Sequence, residues 1–181
     1  MVLPPNPYHA KMTTLKLMGE RECDLNAVEN LMDMAFGVER KSKTAYLLRQ
    51  SGKHLRALSL IAVDNRAQLK GSLRFWPVRL ENCPDVRTLL LGPLAIAPGY
   101  RGLGYARALI ARGLADAEHL GWQLCLVITE ESLYKKFGST PAAPLKLNLP
   151  AYERPDKLHI KELEAGILDQ RINGSAVLPF S

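Results

Sequence analysis

Arg101-Gly102-Leu103-Gly104-Tyr105-Ala106 joins two stretches of different periodicity. Before it, Leu89-Leu90-Leu91-Gly92-Pro93-Leu94-Ala95-Ile96-Ala97 is an apolar run of strand length. After it, Ala106, Leu109, Ile110, Gly113, Leu114 and Ala117 recur at the spacing of one helix face. The order is strand, glycine turn, helix. The first turn of a helix carries N–H groups without intrahelical partners and the positive end of the macrodipole. Glycines there let a phosphate approach the backbone, because no Cβ stands in the way. The hexapeptide therefore describes an anion cradle suited to a pyrophosphate.

Spacing separates the cofactor classes that use such a cradle. A P-loop needs Gly-Lys-Ser/Thr, and Gly104 is followed by Tyr105 and Ala106. A dinucleotide fingerprint needs G-x-G-x-x-G/A. Counted from Gly102, its third small residue would be Arg107. Nor does an acidic residue close a second strand about 20 residues on, as that fold requires. The pattern that fits is R/Q-x-x-G-x-G/A, carried by Arg101, Gly104 and Ala106. It resembles the coenzyme A pyrophosphate loop of the GCN5-related N-acetyltransferase (GNAT) superfamily.

A second segment carries the same resemblance. Gly121 is followed by the buried-strand pattern Trp122-Gln123-Leu124-Cys125-Leu126-Val127-Ile128, then by Thr129 to Gly138. Tyr134, Phe137 and Gly138 match a Tyr-containing motif that many members carry on the helix after the fifth strand. Ser139 departs from it, standing where a second Phe is usual, and the Asn that often starts this helix is missing. Leu94 to Gly102 further resembles bacterial acetyltransferases of the YhbS type. The likeness covers roughly residues 13 to 165, with its specific part between 90 and 138.

The resemblance implies a single mixed α/β (α+β) domain over residues 1–181, with residues 1–10 as a loose arm. Its central sheet would be mixed, mostly antiparallel, splayed between strands four and five, with helices on both faces. It implies acetyl-CoA as cosubstrate and no metal. The cofactor would lie along Leu94, Ala95 and Ile96 and on Arg101, Gly102, Leu103, Gly104, Tyr105, Ala106 and Arg107. Pro93 supports this placement on its own terms, since a proline inside a strand marks an edge or a bulge. The acceptor would be an amine, on a small molecule or on a protein or peptide, and a homodimer is compatible with the family.

Transfer from a thioester also needs an acid for the departing thiolate. Tyr134 is the candidate: a phenol with a reference pKa near 10 stays protonated at neutral pH and can donate. A base for the amine is not evident. Leu90, Leu91 and Gly92 supply none where many relatives place a Glu, which leaves Glu81, Glu130, Glu131 or water. That gap keeps open a non-catalytic acyl-CoA-binding or regulatory protein on the same fold.

Composition bounds the rest. With 181 residues and 47% hydrophobic content, the chain can bury a substantial core. No apolar run is long enough to span a bilayer, and no signal-peptide pattern opens the chain. Cys23, Cys83 and Cys125 lack metal-ligand spacing, and so sparse a count fits a reducing compartment, the cytoplasm. Cys125, inside a strand pattern, is expected to be a core residue. The net charge of +6 raises nucleic acid as a partner. Lys41, Lys43, Arg49, Lys53 and Arg56 are scattered among apolar residues without stacking aromatics, so neither nucleic acid nor membrane is expected.

The remaining elements follow from patterning. Thr13–Met18 is a predicted strand. Asp24 is the expected N-cap of a helix with Leu25, Val28, Leu31, Met32, Ala35 and Phe36 on its apolar face. A second helix is expected near Ser42–Gln50, and strands over Ala57–Asp64, Gln68–Glu81 and Val86–Ala97, the first two a hairpin turning at Asn65-Arg66. Leu145–Leu149 and Leu158–Ile160 are expected as terminal strands.

Overall fold

The computed structural model describes residues 15–42, 46, 48–49, 52–129, 137–149, 157–168 and 170–180. Strands β1 (Lys16–Gly19), β2 (Leu60–Val63), β3 (Leu69–Leu80) and β4 (Thr88–Ile96) form an antiparallel run. The β2–β3 hairpin turns at Asn65-Arg66 as predicted. Asp64 Oδ1 closes it by accepting the backbone N–H groups of Arg66 and Gln68, each at 2.9 Å. Helix α2 (Tyr105–His119) then carries the chain across the sheet to β5 (Leu124–Ile128), which lies parallel to β4. A parallel neighbour can be reached only by such a crossover. Beyond β5 come β7 (Leu158–Glu162) and β6 (Thr140–Pro141), both pairings antiparallel. The sheet order is β1-β2-β3-β4-β5-β7-β6, and β8 (Val177–Pro179) pairs with β3 at Val78–Leu80.

Alternation along the strands assigns a helix to each face. Leu60 and Ala62 of β2, Leu73 and Phe75 of β3, and Cys125 and Val127 of β5 share one core with Leu109, Ile110, Leu114 and Ala117 of α2. Ile61 and Val63 point the other way, where they meet Val28, Leu31 and Met32 of helix α1 (Leu25–Phe36). Leu90, Leu124 and Leu126 join Val78 and Leu80 in a third cluster. Gly113 lets α2 sit close to the sheet: a Cβ there would lie 2.6 Å from Phe75 Cε2.

The mixed, mostly antiparallel sheet with helices on both faces agrees with expectation. Several local assignments do not. Asp24 occupies the N-cap of α1 but makes no capping bond. Its carboxylate instead accepts the Arg21 backbone N–H and the Arg21 guanidinium, at 2.9 Å each. Leu25 and Phe36, expected on the buried face, are exposed. The strand expected from Ala57 begins only at Leu60, because Arg56–Leu58 forms a 3-10 turn. Leu145–Leu149 is not a strand: a 3-10 turn over Ala143–Leu145 ends on Lys146 at φ +49°. The expected helix at Ser42–Gln50 falls largely outside the described residues, as do Thr13 and Thr14 of the first strand.

Candidate active site

Pairing between β4 and β5 runs from Thr88 opposite Leu124 to Leu91 opposite Val127 and stops there. β4 continues beside β3, with Leu94 opposite Leu73, Ala95 opposite Ser72 and Ile96 opposite Gly71. From Gly92 to Ile96 its other edge faces no strand among the described residues. The disruption sits where the sequence predicts it. Pro93 has no N–H to give a ladder, and the β3–β4 register shifts between Leu73 and Phe75.

That open edge leads to the glycine turn. Gly102 and Gly104 have φ of +76° and +87°, left-handed values that favour glycine. A Cβ on either would meet nothing within 4 Å, so the space in front of both is open. Gly104 is the N-cap of α2, and its carbonyl accepts the Ala108 N–H at 3.0 Å. Arg101 Nε donates to the Ile96 carbonyl at 3.2 Å, tying the turn to the end of β4. A cavity of about 380 Å³ opens here, lined by Ile96, Arg101, Gly102, Gly104, Tyr105, Ala106 and Arg107, with Tyr100 and Phe137. Of the predicted cradle residues, Leu103 is absent from this lining and is 62% exposed. Leu94 and Ala95 lie on the open-edged part of β4. The arrangement offers an anion the N-terminus of a fifteen-residue helix beside two arginines.

Tyr134, Glu130 and Glu131 lie outside the described residues. Of the base candidates, only Glu81 lies among the described residues. It is exposed just past the end of β3, its N–H bonded to the Ala176 carbonyl, whereas the break lies beside Leu73–Phe75 of that strand. Cys125 is wholly buried, which pushes its thiol up to about 12, so it is no nucleophile at neutral pH.

On the α1 face of the break lies a polar cluster that patterning missed. Arg74 projects from β3 and holds Glu20 with two bonds, at 2.9 and 2.5 Å, and Glu29 at 2.7 Å. Arg40 holds Asp33 at 2.6 Å and also bonds Glu29 and the Tyr46 hydroxyl. Burial pushes the Glu29 carboxyl up, but the bonds from Arg74 and Arg40 outweigh it and hold the group below its ordinary value. Arg49, 8% exposed, packs its guanidinium over the rings of Tyr46 and Trp76, at 4.9 and 6.0 Å. Glu29, Arg40, Tyr46, Arg49, Arg74, Trp76 and Pro93 line a second cavity, of about 370 Å³. The one sequence signal was Arg74 itself, a charge inside the apolar run Leu73-Arg74-Phe75-Trp76.

Known proteins share this architecture. The crystal structure of YhbS from Escherichia coli, a GNAT family N-acetyltransferase in complex with CoA, matches with a TM-score of 0.74 at 25% identity, over 94% of this chain and 92% of that one. A GNAT family acetyltransferase from Brucella melitensis in complex with acetyl-CoA matches in fold, with a TM-score of 0.67 at 19% identity over 93% and 97% of the two chains. In sequence, the uncharacterized N-acetyltransferase YhbS of Escherichia coli K12 is 28% identical over 153 residues, 83% of this chain and 86% of its own. Residues 25–138 match the acetyltransferase (GNAT) family, and the chain belongs to it.

Proposed function

We propose that this protein moves an acetyl group from acetyl-CoA to an amine by direct attack in a ternary complex. The observation that carries the reading is the open edge of β4 running from Gly92-Pro93 to the glycine turn at the N-terminus of α2. Acetyl-CoA supplies the activated acetyl thioester when bound. The chain's own part is to hold and polarise it. Backbone N–H groups of the turn and of the first turn of α2 take the pyrophosphate, with Arg101 and Arg107 beside it. The free edge over Leu94, Ala95 and Ile96 can hydrogen-bond the amide-bearing arm, as an added strand would. A backbone N–H aimed at the developing oxyanion near the break would lower the barrier by roughly 2.7–4 kcal/mol.

Tyr134 donates the proton that the departing thiolate takes up. Glu29, the carboxylate lining the cavity across the break, is held by two arginines and stays ionised well below neutral pH. It is therefore a weak base, and the acceptor's proton leaves through water.

The test is thiol release from acetyl-CoA over a panel of amines, for wild type and Tyr134→Phe. The phenol acts mainly in the transition state, so the variant should lose kcat by about 10²–10⁴-fold with acetyl-CoA affinity little changed. Wild-type turnover in Tyr134→Phe while chemistry limits the rate removes the acid role. CoA binding without thiol release from any amine supports a non-catalytic acyl-CoA-binding protein instead.

A further inference from the structure

The three arginines on the α1 face are not alike. Arg40 and Arg74 between them engage Glu20, Glu29 and Asp33. Arg49 is paired with no carboxylate among the described residues; its side chain reaches the Tyr46 hydroxyl and the faces of two rings. Among the described residues its Nε is buried with no hydrogen-bond partner, and so is the indole Nε1 of Trp76, a residue that lines this cavity and the one beside His54. Burial pushes Arg49 down to about 10, so it is still cationic at neutral pH. A buried cation with no counter-ion among the described residues, and two N–H donors with no partner there, are costly, and native structures keep such groups where something else satisfies them. They also stand beside the chemistry. A Cβ on Gly92 would lie 3.3 Å from Arg49 Nη2, and Pro93 lines the same cavity.

We propose that this cavity receives the acceptor, and that the acceptor is a small amino acid-like molecule whose carboxylate is bound by Arg49. The proposal rests on the acetyltransferase reading given above. The planar guanidinium fork matches a carboxylate, which would also bring the missing counter-charge. A phosphate dianion suits the site less well. One unpaired guanidinium is on offer, and the Glu29 carboxylate lines the same wall. The volume of about 370 Å³ lies at the small-molecule end of binding sites. The Tyr46 and Trp76 rings that flank the guanidinium fix its plane and exclude water from the pair.

The experiment compares acceptors that differ in one group. Thiol release from acetyl-CoA is measured with free amino acids, the matching amino acid amides, the matching aminophosphonates, and short peptides with free or amidated C-termini. Wild type should prefer free acids over amides by roughly 10- to 100-fold in kcat/KM, the scale of a hydrogen bond to a charged group. Arg49→Gln should bring that ratio close to 1, and Arg49→Lys should recover part of it. CoA affinity should match wild type in each variant, and a single cooperative thermal transition above the assay temperature should show that each is folded. Equal turnover of acids and amides, a preference for aminophosphonates, or an unchanged ratio in Arg49→Gln would overturn the proposal. Turnover of free-acid peptides alone would also overturn it, in favour of a peptide C-terminus. CoA binding with no free amino acid turned over defeats the proposal while leaving the cofactor reading intact. Failure of CoA itself to bind defeats both.

Discussion

Burial and the charged cluster together set the chemistry of His54. Its Nδ1 lies 2.6 Å from Ser59 Oγ, which itself donates to the Leu55 carbonyl at 2.9 Å. The serine oxygen therefore accepts, and the neutral ring carries its proton on Nδ1. Burial, then the positive charge of Arg74, holds the imidazole below its usual value, with Glu20 pulling the other way. A histidine depressed in the fold titrates near 6.5 when unfolded. Its stabilising contribution is thus present above about 6.5 and is lost as pH falls through the folded value. Urea melts between about pH 7.5 and pH 5 should show stability declining towards acid, with a shallower decline in His54→Gln. An equal slope in the variant would mean that other groups carry the dependence. The lowered carboxylates, Asp24, Glu29 and Asp64, act in a more acid window, below their ordinary values.

Helix α2 and strand β3 are where packing decides. Gly113 faces Phe75, which is wholly buried, and its missing side chain sets how near the helix lies. Phe75 is a rigid ring inside the core, so an added methyl has no flexible neighbour to displace. Gly113→Ala should cost about 1–3 kcal/mol from overpacking, despite alanine's better helix propensity of about 0.8–1.0 kcal/mol. Chemical denaturation would read this, and a variant as stable as wild type would show that the helix can shift outward freely. This element was legible in the sequence because its information is local. Leu109, Ile110, Gly113, Leu114 and Ala117 fall at helical spacing, and all are buried. Strand β8 was not legible. Its three residues end on Pro179, and only the edge of β3 beyond β2 turns them into a strand. The apolar spacing of Leu145, Leu147 and Leu149 misled for the opposite reason: Leu147 and Leu149 are buried, but from an irregular segment.

Across the whole molecule, one architectural decision organises the site. A parallel β4–β5 pair that stops at Leu91 leaves a free edge, and the crossover helix returns its N-terminus to the end of that edge. Both halves of this arrangement come from one continuous stretch, residues 88–106, so the proposed cofactor side was legible in sequence. The opposite side joins Glu20, Glu29, Arg40, Arg49 and Arg74, residues far apart in the chain that only the sheet and α1 bring together. No spacing rule marks such a set. Calorimetric titration of CoA into wild type and Gly104→Val tests the proposed cradle. Valine at φ +87° strains the turn and puts a branched side chain where the space is now open. CoA should bind the wild-type protein, and the variant, with its thermal unfolding checked alongside, should lose at least about tenfold in affinity, about 1.4 kcal/mol. Equal affinity in a folded Gly104→Val would rule the cradle out.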